Sequence, residues 1–156
     1  MKHTNRIQPH TLLWLTISIC WMVLIFCFSS QPAEQSAELS TGVLSSNLEL
    51  LPSGATEDLL LRYHTPLRKL AHFGLYFMLG LSLTNALREQ KLVPNVPAAI
   101  VLSALYAASD EFHQSFVAGR GPQVSDVLLD TAGAATGALL MSALYLLVRK
   151  RRRMSE

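Results

Sequence analysis

Charge and cysteine are both scarce in this chain. Of its 156 residues, 15% are charged and 50% hydrophobic, against roughly 25% charged in a soluble domain. That shortage argues against an ordinary aqueous globule. The two cysteines, Cys20 and Cys27, share one apolar run. On a helix they lie two turns, about 10 Å, apart, too far for a disulfide, and they form no metal motif. Internal repeats, low-complexity runs and nucleic-acid-binding elements are missing as well, so no nucleic-acid partner is expected. The net charge of +2 says little. The placement of the charges says more.

What is present is long apolar sequence. A bilayer crossing takes about 20 mostly apolar residues, and four stretches qualify: 11–28, 67–87, 96–114 and 126–148. The first, "TLLWLTISICWMVLIFCF", follows Lys2 and Arg6 as a signal peptide would. Its apolar run is long for that, and no clean small-residue cleavage site follows, so it reads as a signal-anchor helix. The fold class expected is an all-α integral membrane protein, a bundle of four transmembrane helices. A cytoplasmic tail (1–10), the membrane domain (11–148) and a basic tail (149–156) make up the chain.

Orientation comes from the basic residues. Lys2 and Arg6, Arg88 and Lys91, and "RKRRR" at 149–153 all fall on one side of a four-span chain, the cytoplasm by the positive-inside rule. The opposite side receives the loops 29–65 and 115–125. In the long loop, Leu39, Val43, Leu44, Leu48 and Leu51 recur at helical spacing opposite Ser, Thr, Asn and Glu, which predicts an amphipathic helix on the extracytoplasmic membrane surface. "PSGAT" then breaks it ahead of a separate short helical piece, "EDLLLRYH".

The ionisable residues of the spans gather at one depth. Arg68, Lys69 and His72 occupy the outer turns of span two. Asp110, Glu111, His113 and Gln114 end span three, Arg120 lies in the loop, and Asp126 and Asp130 open span four. At 100° per residue, Ser103, Tyr106, Ala107, Asp110, His113 and Gln114 share a face of span three, with Glu111 at its edge. Asp126, Asp130, Gly133 and Gly137 share a face of span four. The two glycines form a small-xxx-small pair suited to close helix contact. On span two, Lys69, His72, Tyr76 and Gly80 make an analogous stripe. Ser125 is the expected N-cap of span four. An ionisable residue within a span costs about 2.5–3.5 kcal/mol on insertion scales, so this cluster predicts mutual pairing around a polar cavity at the outer-leaflet interface.

Four segments in order, "FSSQP", "RKLAHFGLYFMLG", "SDEFHQSFVAGR" and "SDVLLDTAGAATG", resemble the motifs of the VanZ-like membrane protein family over about residues 26–140. The resemblance implies a small multi-pass protein of the bacterial cytoplasmic membrane. It also implies a role connected with resistance to the lipoglycopeptide teicoplanin, with which the founding member is associated. By motif it carries over Lys69 and His72, then Glu111, His113, Gln114 and Arg120, then Asp126 and Asp130. At Asp130 this chain departs from relatives that often bear an amide.

Two chemistries compete for the cluster. Arg68, Lys69 and Arg120, near the positive N-terminal ends of spans two and four, suit a phosphate or carboxylate. Membrane lipids, a lipid-linked envelope precursor or a lipoglycopeptide would be the partner. The alternative is an enzyme acting on a lipid-linked envelope precursor, with Glu111, His113 and Asp126 as candidate catalytic groups. His72, Asp110, Glu111, His113 and Asp126 are all metal-ligand types, but no HExxH spacing occurs, and Glu111 and His113 lie about 200° apart on a helix. No metal or other cofactor is expected on that spacing. Mutual pairing as mere structural glue explains so many charges badly, since interhelical polar contacts average about 0.6 kcal/mol. Transport would need an oligomer and a discontinuous-helix pair that four short spans do not offer.

Overall fold

The computed structural model describes residues 8–36, 38, 42, 53–88 and 95–155, with backbone alone over 53–64. Every element among them is helical. Four long helices follow in chain order: α1 (Pro9–Ser29), α2 (Ser53–Leu87), α3 (Asn95–Gln114) and α4 (Val124–Met154). Pro9 opens α1, where its missing N–H costs nothing. Three of the four contain a stretch long and apolar enough to cross a membrane: Pro9–Ser29, Thr65–Leu87 and Val124–Met154. The apolar stripe of the expected surface helix (Leu39, Val43, Leu44, Leu48 and Leu51) lies outside the described residues, as does Lys91.

Two boundaries differ from expectation. "EDLLLRYH" is not a separate piece, because α2 runs unbroken from Ser53 through Pro66. Proline is tolerated in helices of this kind because neighbouring elements can re-satisfy the freed backbone groups. Nor is Ser125 an N-cap. The α4 helix starts two residues earlier than that cap requires, at Val124, with extended Gln123 at the cap position, and the Asp126 N–H donates to the Gln123 carbonyl. Ser125 already lies inside the first turn.

The bundle is polar and small inside and greasy outside. Buried positions include Ser18, Ser29, Ser82, Ser103, Ala99, Ala107, Ala134 and Ala138 around Tyr76, Leu79 and Ile25. Large apolar side chains such as Leu13, Ile19, Leu105, Phe112, Leu139 and Leu146 point outward, the arrangement expected when lipid replaces water. Cys20 and Cys27 are free and exposed on α1. The α2 helix is the hub, packing most extensively on α4 and also on α1 and α3.

Glycine sets the α2–α4 contact. A Cβ on Gly137 would run into the Phe77 carbonyl, one on Gly133 into that of Phe73, and one on Gly80 into that of Ala134. The two backbones therefore touch along the small-residue stripes, which fixes the rotation of both helices. That rotation turns Lys69 and His72 toward Asp126 and Asp130. On the other side, Ser18 Oγ donates to Ser82 Oγ at 3.0 Å and Tyr106 Oη donates to the Met22 carbonyl at 2.6 Å, holding α1 against α2 and α3.

Candidate functional site

At one end of the bundle, the C-terminal ends of α1 and α3 meet the first turns of α4, and α2 passes beside them over residues 68–72. The connection from α3 to α4 is fastened to α1. The Ala33 N–H donates to the Ala118 carbonyl at 3.2 Å, and Arg120 Nη2 donates to the Phe28 carbonyl at 3.3 Å. The turn needs glycine at 119, where φ is +74° and a Cβ would sit 3.0 Å from the Ala33 methyl.

Two side-chain pairs cross from α2 to α4 inside this frame, an ion pair and an imidazole–carboxylate pair. Lys69 Nζ donates to Asp126 Oδ1 at 2.5 Å, and His72 Nδ1 lies 3.7 Å from Asp130 Oδ2. Both lie next to the glycine contact, with partners three residues apart on α2 and four apart on α4. On α3, Asp110 Oδ2 accepts from Ser29 Oγ at 2.7 Å and from Gln114 Nε2 at 3.2 Å. Glu111 Oε1 accepts the Gln123 backbone N–H at 2.7 Å, so this side chain orients the chain where it enters α4.

Arg68, Lys69, His72, Glu111, Gln114, Asp126, Leu129 and Asp130 line a small polar pocket between α2, α3 and α4. Its free volume is ≈ 10 Å³, room for about one water-sized group. Directly beside it runs an apolar groove of ≈ 380 Å³ between α1 and α2, lined by Trp21, Phe28, Ala71, Gly74, Leu75 and Met78. His72 belongs to both walls. A charged recess and an open apolar trench therefore share one side chain.

Seven of the ten residues singled out from sequence line the polar pocket, and the other three stand apart from its wall. His113 turns to α1, its Nε2 3.2 Å from Ser30 Oγ and its ring 4.7 Å from that of Phe26. Arg120 turns to the end of α1 as described. Its Nε and Nη1 are buried without a hydrogen-bond partner among the described residues. Burial, with Arg68 nearby, lowers its pKa below the ordinary arginine value. Asp110 lies deeper, packed against His72 and Asp130, with one ligand-capable atom of each of the three within 4.8 Å of the others.

The sequence reading did not single out Ser29, Ser30 or Gln123. Ser29 and Ser30 stand in "FSSQP", a segment whose likeness to a family motif was the available signal. Gln123 enters through its backbone N–H, which no side-chain pattern announces.

Arg68 and Lys69 bring cationic groups, and Glu111, Asp126 and Asp130 carboxylates, to the wall of one pocket. No curated protein and no solved structure matches the chain. A family model does, that of VanZ/LLP1, over residues 14–147. The match takes in most of α1 and α4, all of α2 and α3, and every residue of the polar pocket. This chain belongs to the VanZ/LLP1 family.

Proposed function

We propose that the protein crosses the bacterial cytoplasmic membrane four times, with both termini in the cytoplasm. In this reading it binds the charged head group of an amphiphile at the outer-leaflet end of the bundle. The observation that carries the reading is the polar pocket joined to the apolar groove through His72. An amphiphile needs those two surfaces side by side. The pocket admits one charged atom or group, with the rest of the head at its mouth near Arg68 and the acyl chain along the groove.

The fourth crossing is α3. At 20 residues it spans about 30 Å, the thickness of the hydrocarbon core. Its polar side chains lower its hydropathy, but Ser103, Asp110, Glu111 and Gln114 are buried while Val101, Leu102, Leu105 and Phe112 face outward. The lipid-facing surface is thus apolar. Four crossings put Arg88 and the basic run from Arg149 to Arg153 on one side, which the positive-inside rule assigns to the cytoplasm. The ionised end then faces outward.

By family, the physiological consequence is altered susceptibility to a lipoglycopeptide of the teicoplanin kind. A protein that holds an amphiphile at the outer leaflet can sequester such a drug or change the surface it engages. A second reading, an enzyme acting on a lipid-linked envelope precursor, draws on the Glu111 carboxylate in the pocket wall. Teicoplanin susceptibility of a sensitive host tests both. The parent chain is expected to protect, and Glu111→Gln, at equal membrane level, is expected to protect within about twofold. Loss of protection by that variant ties the role to this site, where product from a lipid-linked precursor then supports the enzyme and lipid retained without turnover supports binding; no protection by the parent contradicts the resistance role.

A further inference from the structure

We infer that His72, Asp110 and Asp130 form a binding site for one divalent first-row metal ion, of the Zn²⁺ or Mn²⁺ class. The inference goes beyond the head-group reading and does not depend on it, since an ion can bind whether or not an amphiphile does.

The three residues come from α2, α3 and α4, and each brings one ligand atom within 4.8 Å of the other two. Bonds of about 2.0–2.2 Å to a tetrahedral zinc ion would put ligand atoms roughly 3.3–3.6 Å apart, so side-chain adjustments on the order of 1 Å close the site. One imidazole and two carboxylates are a donor set for borderline-to-hard divalent ions. Three protein donors also leave a position for water or for an oxygen of a bound anion.

Independent observations point to a missing partner. Asp110 and Asp130 are 4% and 3% exposed. Each has one carboxylate oxygen, Oδ1, buried with no hydrogen-bond partner among the described residues. Buried acceptors left in this way are rare and call for an explanation. Asp110 is held by its other oxygen alone, through Ser29 and Gln114, the kind of outer support that orients metal-binding carboxylates. The nearest lysine does not supply the missing partner, because Lys69 is engaged by Asp126. The adjoining pocket has room for about one water-sized species. Its small size suits a single water or anion oxygen beside the ion.

Charge points the same way. Two carboxylates taken out of water carry a penalty of several kcal/mol each unless compensated. One histidine offsets at most one of them, and a divalent ion offsets both. The site was hidden from sequence because its donors lie 38 and 20 residues apart on three helices, leaving no local spacing to read.

The test uses the full chain in detergent micelles, stripped with EDTA and titrated with Zn²⁺, and separately with Mn²⁺, by calorimetry. The parent is expected to bind about one ion per chain. Asp130→Asn and His72→Gln are expected to weaken binding at least tenfold, and His10→Gln, at the other end of α1, to leave it unchanged. Zn²⁺ should raise the parent's melting temperature and leave that of Asp130→Asn unmoved. X-ray absorption at the zinc edge of the loaded parent covers the case in which a variant fails to fold. The expected shell is one imidazole among oxygen donors. A parent that takes up neither ion, variants that bind as the parent does, or a shell of sulfur or several imidazoles each overturns the inference.

Discussion

A Gly137→Val chain is expected to melt roughly 10 °C below the parent in detergent, from an overpacking cost near 3 kcal/mol at the upper end of the usual range. The reason is geometric. The first added carbon meets the Phe77 carbonyl and lies close to the Leu81 nitrogen. Those are backbone atoms of a helix that cannot swing aside as a side chain can. Relief requires α2 and α4 to separate, and separation also breaks the Lys69–Asp126 and His72–Asp130 register. Gly74→Ala is the control. A Cβ there meets nothing within 4 Å, and alanine favours helix by up to about 1 kcal/mol, so its melting temperature should equal or slightly exceed the parent's. Thermal melting followed by circular dichroism reads both. A parent-like Gly137→Val would mean that the close backbone approach does not hold the bundle.

Lys69→Ala is expected to weaken binding of an anionic single-chain lipid by about 10- to 100-fold, the equivalent of one charge-assisted hydrogen bond of roughly 1.5–3 kcal/mol. Two effects add. The cation at the pocket wall is lost, and Asp126, whose ion pair it supplied, becomes an uncompensated negative charge facing an anion. Lys69→Arg should keep most of the affinity. The double variant Lys69→Ala/Asp126→Ala should recover part of it, because the repelling carboxylate has gone too. Lysophosphatidylglycerol is a suitable probe, and Trp21 in the apolar groove reports on its tail by fluorescence in a Trp14→Phe background. If alanine at 69 binds as the parent does, the lysine is structural and the pocket is not an anion site.

How far sequence alone reaches is instructive here. Small residues at helical spacing, Gly133 with Gly137 and Gly80 in the analogous stripe, marked the close-contact face of each helix in the sequence, and the structure pairs those faces backbone to backbone. The two cross-helix side-chain pairs lie next to that contact. The face of α3 was harder. A 100° step places Asp110, His113 and Gln114 together, but it cannot tell which neighbour each meets at the crowded end of a bundle. There α1 captures His113 through Ser30 and Phe26. Glu111, assigned to the edge of that face, is buried because the chain turning into α4 brings Gln123 onto it. Pro66 and Ser125 show the other limit. Local breaker and cap preferences are worth about 1–3 kcal/mol, and packing along a long helix can override them.

The α1–α2 groove escaped the sequence reading altogether. It depends on Ala71 and Gly74 withdrawing from the surface of α2 while Trp21 and Phe28 frame the opposite wall. Each of those residues alone reads as an ordinary lipid-facing or packing position. Only their juxtaposition beside His72 makes an amphiphile-shaped surface.

The most direct test of the account is to map where an acyl chain lies. The full-length protein would be placed in nanodiscs containing a small fraction of phosphatidylglycerol with a diazirine midway along one chain, irradiated, and digested for mass spectrometry. The account predicts labelling concentrated on Trp21, Phe28, Leu75 and Met78, suppressed by excess lysophosphatidylglycerol and lost in Lys69→Ala. Labelling spread evenly over the outward leucines of α1 and α4, indifferent to competitor and to the Lys69 substitution, would contradict it.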